Sequence, residues 1–130
     1  GLPIRVSAIA SMEQAQILLG FPYDSARFRP IILSAISQMY GTVGAERLLG
    51  SAAVELCYVA AGRAEGRIEG LLGPWDVAAG TLILSEAGGI TTDFHGGDTY
   101  LTGCEVLASN GHIHEALLQV IGLAVESVDE

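Results

Sequence analysis

Apolar residues fall into short blocks separated by glycine, proline and polar turns, and the spacing inside each block predicts an element. Ile4 and Val6 alternate with Arg5 and Ser7, which predicts a strand over residues 1–7. Ser11 with Gln14 makes a capping-box pattern for a helix that Gly20 closes. After a turn at Phe21-Pro22-Tyr23-Asp24, Pro30 suits the first turn of a second helix. Ile31, Ile32, Ala35, Ile36 and Met39 recur there at helical spacing, and Gly41 and Gly44 end the run. Residues 45–49 read as a buried strand. Gly50-Ser51 then precedes a helix over 52–61 that is apolar nearly all round except at Glu55, so it needs cover on most sides. A strand over 67–71, a helix opened by Pro74 and closed by Gly88-Gly89, and a strand over 90–93 follow. Residues 94–103 form a Gly-rich turn or hairpin, 105–109 the last strand and 112–121 the last helix.

Strands alternating with helices predict an α/β fold, a layered mixed or parallel sheet with helices on both faces. In such folds ligands gather at strand ends and helix starts. Two junctions are thereby singled out: the turn Gly50-Ser51-Ala52 and the segment 69–76.

Composition narrows the function classes. A chain of 130 residues with 50% hydrophobic and 16% charged content is expected to fold as one globular domain with a core of its own. Six basic residues, all arginine, face fifteen acidic ones for a net charge of -9, which argues against a nucleic-acid footprint. Apolar runs stop well short of the ~20 residues that span a bilayer, and the N-terminus lacks a signal layout, so the expectation is a soluble cytoplasmic protein without a membrane partner. Cys57 and Cys104 stand alone and are expected to be reduced, buried apolar residues, not a zinc or redox pair. His112 and His114 fall on different sides of a helix, and His95 sits in the Gly-rich turn, so none is assigned a role. Arg27, Arg29 and Arg47 are expected to pair with the surplus acids. Glu55 requires a partner if buried, and the sequence names none.

Asp76 follows Pro74-Trp75, which puts it in the first turn of a helix, where the positive end of the dipole stabilises a carboxylate. Such a rigidly mounted carboxylate suits magnesium, which takes one or two carboxylates and leaves positions for water and phosphate. The same placement equally serves the helix dipole alone. Glu69 taken alone reads as an exposed strand charge, and Ser51 as a helix N-cap. Gly80, inside the helix, costs roughly 1 kcal/mol against Ala, so something is expected to approach that helix closely.

The run Gly73-Pro74-Trp75-Asp76-Val77-Ala78-Ala79-Gly80, followed by Ser85-Glu86-Ala87-Gly88-Gly89, resembles the second signature of the inositol monophosphatase family. Gly50-Ser51-Ala52-Ala53 leading into Leu56-Cys57-Tyr58-Val59-Ala60-Ala61-Gly62-Arg63 resembles the same family's substrate-side segment. The likeness extends from Ile4-Arg5-Val6-Ser7 through Gly20-Phe21-Pro22-Tyr23 to Leu107-Ala108-Ser109-Asn110. It implies the C-terminal half of the family's αβαβα fold, also seen in fructose bisphosphatase-like proteins. It also implies that Asp76 is a magnesium ligand, that Glu69, seven residues earlier, accepts from hydroxyls of an inositol ring, and that Gly50, Ser51 and Ala52 contact that ring.

The family's remaining metal carboxylates, its Asp-Pro-Ile/Leu-Asp-Gly-Thr signature and the Glu that helps activate water belong to an N-terminal half with no counterpart in residues 1–130. Asp24, Asp93 and Asp98 form no paired constellation. The resemblance therefore implies a Mg2+-dependent, lithium-sensitive phosphomonoesterase acting on inositol monophosphate in the complete protein, with this chain alone inactive. Implied partners are a small phosphate ester and a second copy of the chain, with Arg47 at the dimer contact, or the missing N-terminal half. Two other readings stand beside it. One is a related phosphatase for histidinol phosphate, fructose 1,6-bisphosphate or 3'-phosphoadenosine 5'-phosphate; the other is a noncatalytic partner-binding domain.

Overall fold

A computed structural model describes residues 1–21, 26–70 and 72–129. Of the expected turn at Phe21-Pro22-Tyr23-Asp24, residues 22–24 lie outside the described residues, as does Leu71. Among the described residues five strands form one sheet: β1 (Gln16–Leu19), β2 (Ala45–Arg47), β3 (Gly66–Gly70), β4 (Ile90–Thr92) and β5 (Glu105–Ser109). Their order is β2-β1-β3-β5-β4. β1 runs parallel to both β2 and β3, whereas β5 runs antiparallel to β3 and β4, so the sheet is mixed as expected. It is covered by the α-helices α1 (Phe28–Met39), α2 (Ala52–Ala60), α3 (Pro74–Glu86) and α4 (His114–Asp129).

Side chains alternate across the sheet and build two cores. Ile17, Leu19, Ile68 and Leu107 pack against α1 and α4, with Phe28 and Phe94 edge to face at 6.1 Å. Leu18, Val106 and Ala108 point the other way, towards α2 and α3. Gly80 explains how closely those two helices pack: a Cβ there would stand 2.7 Å from Leu56 Cδ1, so the expected close approach is made by α2.

Two expected elements are corrected. Residues 1–7 form no strand, and Val6 instead donates one backbone hydrogen bond to the Ala87 carbonyl at 3.1 Å. Ser11 caps no α-helix: a short 3-10 turn at Met12–Gln14 gives way directly to β1. Ile17, Leu18 and Leu19 are all buried, as a strand covered on both faces requires, and a short continuous apolar run cannot be told from a helix by its period. Strand 45–49 shortens to three residues at the sheet edge and is only half-buried. The last helix starts two residues later than expected and continues to Asp129, because Ala124 and Val125 extend the apolar stripe of Leu117 and Ile121 past Gly122. Among the described residues no helix is long and apolar enough to cross a membrane.

Candidate functional site

β1, β2 and β3 are mutually parallel, so their C-terminal ends come out on one edge of the sheet. A cleft of about 700 Å³ lies there, lined by Gly20 after β1, Leu48 and Gly50 after β2, and Glu69 and Gly70 at the end of β3. Its remaining wall is the first turn of two helices, Ser51 to Ala53 at α2 and Trp75 to Asp76 at α3. Unpaired N–H groups and the positive dipole ends of two helices favour negative charge at such a place. The five residues singled out above, Gly50, Ser51, Ala52, Glu69 and Asp76, all line this one cleft.

Each is held by local chemistry. Gly50 adopts φ +87°, a left-handed conformation that an L side chain rarely takes, and this turns the chain from β2 into α2. Ser51 Oγ accepts from the Val54 N–H at 3.3 Å, which makes it the N-cap of α2. The Asp76 carboxylate accepts from the Gly73 N–H at 3.0 Å, closing the first turn of α3. Asp76 is half-buried, while Trp75 beside it is 87% exposed.

Glu69 is not the exposed strand charge it resembles in isolation; its side chain is 13% exposed. Arg67 shares its face of β3 two residues earlier and is fully buried, with Nη2 3.1 Å from Glu69 Oε1. The other end of that guanidinium is fixed by Glu55 of α2, whose Oε2 accepts from Arg67 Nε at 3.1 Å. Glu55 thus has a cationic partner at Oε2, while its Oε1 accepts no hydrogen bond. Burial pushes the Glu55 carboxyl above the usual carboxylate range, with Arg67 and the backbone of Leu49 and Gly50 acting against it. Neither Arg67 nor Gly20 stood out in the sequence. The available signals were an Arg and a Glu two apart on one strand, and a lone Glu in an otherwise apolar helix.

Other candidates go elsewhere. Arg27 pairs with Glu105 at 2.8 Å, as expected of an arginine in an acidic chain, whereas Arg47 Nε donates to Gln16 Oε1 at 2.6 Å. Arg29 is exposed and stands with Phe21, Ile32 and Leu33 around a second, smaller hollow. His114 is buried between Ser109 Oγ at 2.7 Å and Thr92 Oγ1 at 2.9 Å, and burial lowers its pKa. Cys57 and Cys104 are free but half-buried, not fully buried as expected. Among the described residues no group of three or more His, Cys, Asp or Glu side chains is placed to hold a metal ion.

The model of the inositol monophosphatase family matches residues 1–126. The Nus factor SuhB of Vibrio cholerae is 40% identical over 118 residues, which cover 91% of this chain and 44% of that protein. The chloroplastic phosphatase IMPL1 of Arabidopsis thaliana is 38% identical over 128 residues, 98% of this chain and 34% of the relative. A solved IMPase of Thermotoga maritima superposes with a TM-score of 0.87 at 36% identity, over 98% of this chain and 48% of that one. The chain thus spans less than half the length of these relatives.

Proposed function

Because the chain belongs to the inositol monophosphatase family, we propose that it is the C-terminal, substrate-side part of a magnesium-dependent phosphatase that hydrolyses inositol monophosphate to inositol and phosphate. The observation that carries this reading is the meeting of Glu69, Asp76 and the Gly50 turn in one cleft at the C-terminal ends of three parallel strands.

The residues present fit a magnesium site that is shared with other donors. Asp76 offers a hard carboxylate, fixed at a helix start, in a cleft open enough for water and a phosphate ester. Bound Mg2+ would neutralise phosphoryl charge and activate a water. Asp76 would hold the ion from this side, and the absence of a carboxylate cluster among the described residues leaves the remaining donors to the N-terminal half. Glu69 would accept from two ring hydroxyls at once and so fix the rotation of the polyol. Gly50, Ser51 and Ala52 would bring backbone close to the ring, and the N-termini of α2 and α3 would draw the anionic ester into the cleft.

The test is phosphate release from inositol 1-phosphate by this chain alone and by the chain joined to the metal-binding half of a relative. We expect none from the first, and Mg2+-dependent, lithium-inhibited turnover from the second. Inactivity of the joined protein on inositol, histidinol and fructose phosphates and on 3'-phosphoadenosine 5'-phosphate would remove the enzyme assignment. A second reading is favoured by the name Nus factor carried by relatives such as SuhB of Vibrio cholerae: a partner-binding protein in which the cleft is not used for catalysis. It predicts a stable complex with a protein or nucleic acid that survives Asp76→Asn, and finding nucleic acid in that complex would also overturn the expectation drawn from the net charge of -9.

A further inference from the structure

A buried arginine on the covered face of a sheet requires an account. Arg67 is 0% exposed and stands in register between Leu18 and Ala108 of the neighbouring strands, both apolar. An apolar residue would pack there without the desolvation cost of a guanidinium. The geometry assigns Arg67 one outward task, contact with Glu69, and one inward anchor, Glu55. Beside the same Oε1 stands Gly20, whose N–H donates to the Ile68 carbonyl at 3.1 Å and whose missing side chain leaves the space the carboxylate occupies. A Cβ built on Gly20 would overlap Oε1 and Cδ of Glu69. Gly20 does not have a positive φ, so its backbone does not call for glycine; the carboxylate does.

We infer that Arg67, anchored by Glu55, and Gly20 are positioning residues that hold the Glu69 carboxylate at one place in the cleft and thereby set selectivity for hydroxyl-rich phosphate esters over plain ones. This rests on the reading of Glu69 as the acceptor of substrate hydroxyls. A glutamate side chain free to turn about its torsions loses much of the benefit of a double hydroxyl contact to ordering entropy, and a buried guanidinium and a bare backbone meeting the same carboxylate oxygen remove that freedom in advance.

The experiment uses the phosphatase with its metal-binding half in place and two substrates, inositol 1-phosphate and 4-nitrophenyl phosphate, which has no hydroxyl for Glu69. The variants are Gly20→Ala, the paired change Glu55→Gln with Arg67→Met, and Arg67→Lys. Loss of one oriented, charge-assisted hydrogen bond predicts that Gly20→Ala and the paired variant each lower the ratio of kcat/KM for inositol 1-phosphate over 4-nitrophenyl phosphate by about tenfold. The change should lie in KM, and Arg67→Lys should recover part of it. A ratio within about twofold of the parent for both variants would overturn the inference, because a merely structural role lowers both substrates together. Glu69→Gln separates the two layers of argument. If it too leaves the ratio unmoved, the reading of Glu69 falls and the inference with it; if it moves the ratio while Gly20→Ala and the paired variant do not, only the inference falls. Should the paired variant fail to fold, Gly20→Ala decides alone, since its added methyl meets only the end of a side chain.

Discussion

The two faces of the sheet are built differently from the same strands. Towards α1 and α4 the core is apolar, with Ile17, Leu19, Ile68 and Leu107 meeting Phe28, Ile32, Leu117 and Ile121, and its polar contacts, His114 with Ser109 and Arg27 with Glu105, lie at its margins. Towards α2 and α3 an apolar floor of Leu18, Val106 and Ala108 surrounds a buried chain of charge, Glu55, Arg67 and Glu69. Strand β3 serves both: Ile68 faces the first core while its two neighbours face the second. Strand alternation thus lets five residues contribute to the apolar core on one side and to the wall of the candidate cleft on the other, and the fully buried charges Glu55 and Arg67 both lie on the cleft side.

That contrast makes its largest prediction at Arg67. Arg67→Ala leaves Glu55 buried without its cation and opens a void, and should lower stability by about 4 kcal/mol. The paired change of Glu55→Gln with Arg67→Met removes both charges at similar volume, and should stay within about 1 kcal/mol of the parent. Urea unfolding of the three proteins checks this, and equal losses for the single and paired variants would mean that the charges themselves hold this face together. On the apolar face no such rescue exists. Leu107→Ala should cost about 3 kcal/mol by transfer and cavity creation, read as a lower urea midpoint with unchanged slope.

Legibility in the sequence followed the same division. Helices α2 and α3, the strand at 105–109 and the five cleft residues are visible because caps, prolines and glycines punctuate them locally. Ser51 caps α2, Pro74 opens α3, and Gly50 turns at positive φ. The family signatures added the roles proposed for Glu69 and Asp76, which local chemistry alone left open. β1 was hidden because Ile17, Leu18 and Leu19 are buried on both faces and show no alternation. The Glu55–Arg67–Glu69 chain was hidden for another reason: α2 and β3 come together only in the folded sheet, and nothing in a linear pattern says which charge meets which. Gly20 read as a helix terminator, yet its importance lies in a side chain 49 residues away whose carboxylate fills the space beside it.

The smallest effect lies in the loop between β4 and β5, and it sharpens what separates a costly buried charge from a stabilising one. Asp93 is 5% exposed, but unlike Glu55 it is surrounded by donors. Oδ1 accepts from the N–H groups of His95 and Gly97, each at 2.8 Å, and Oδ2 from the Thr99 hydroxyl at 2.7 Å and the Thr99 N–H at 3.3 Å. Burial alone would raise its pKa; the Thr99 hydroxyl and the three backbone donors outweigh burial and bring it from 3.8 to about 2. Because the folded value is the lower one, the stabilisation is fully present above pH 3.8 and is lost as pH falls towards 2. It amounts to about 2 kcal/mol, the size expected for Asp93→Asn at pH 7. Glu55 runs the other way: its raised pKa makes any contribution largest at low pH and smaller as pH rises through the folded value. Urea unfolding of the parent and Asp93→Asn from pH 7 down to pH 2 should therefore give curves about 2 kcal/mol apart that converge below pH 4. Curves that stay parallel throughout would place the loss in packing of the loop, and the number of donors around a buried carboxylate would no longer explain why Asp93 and Glu55 shift in opposite directions.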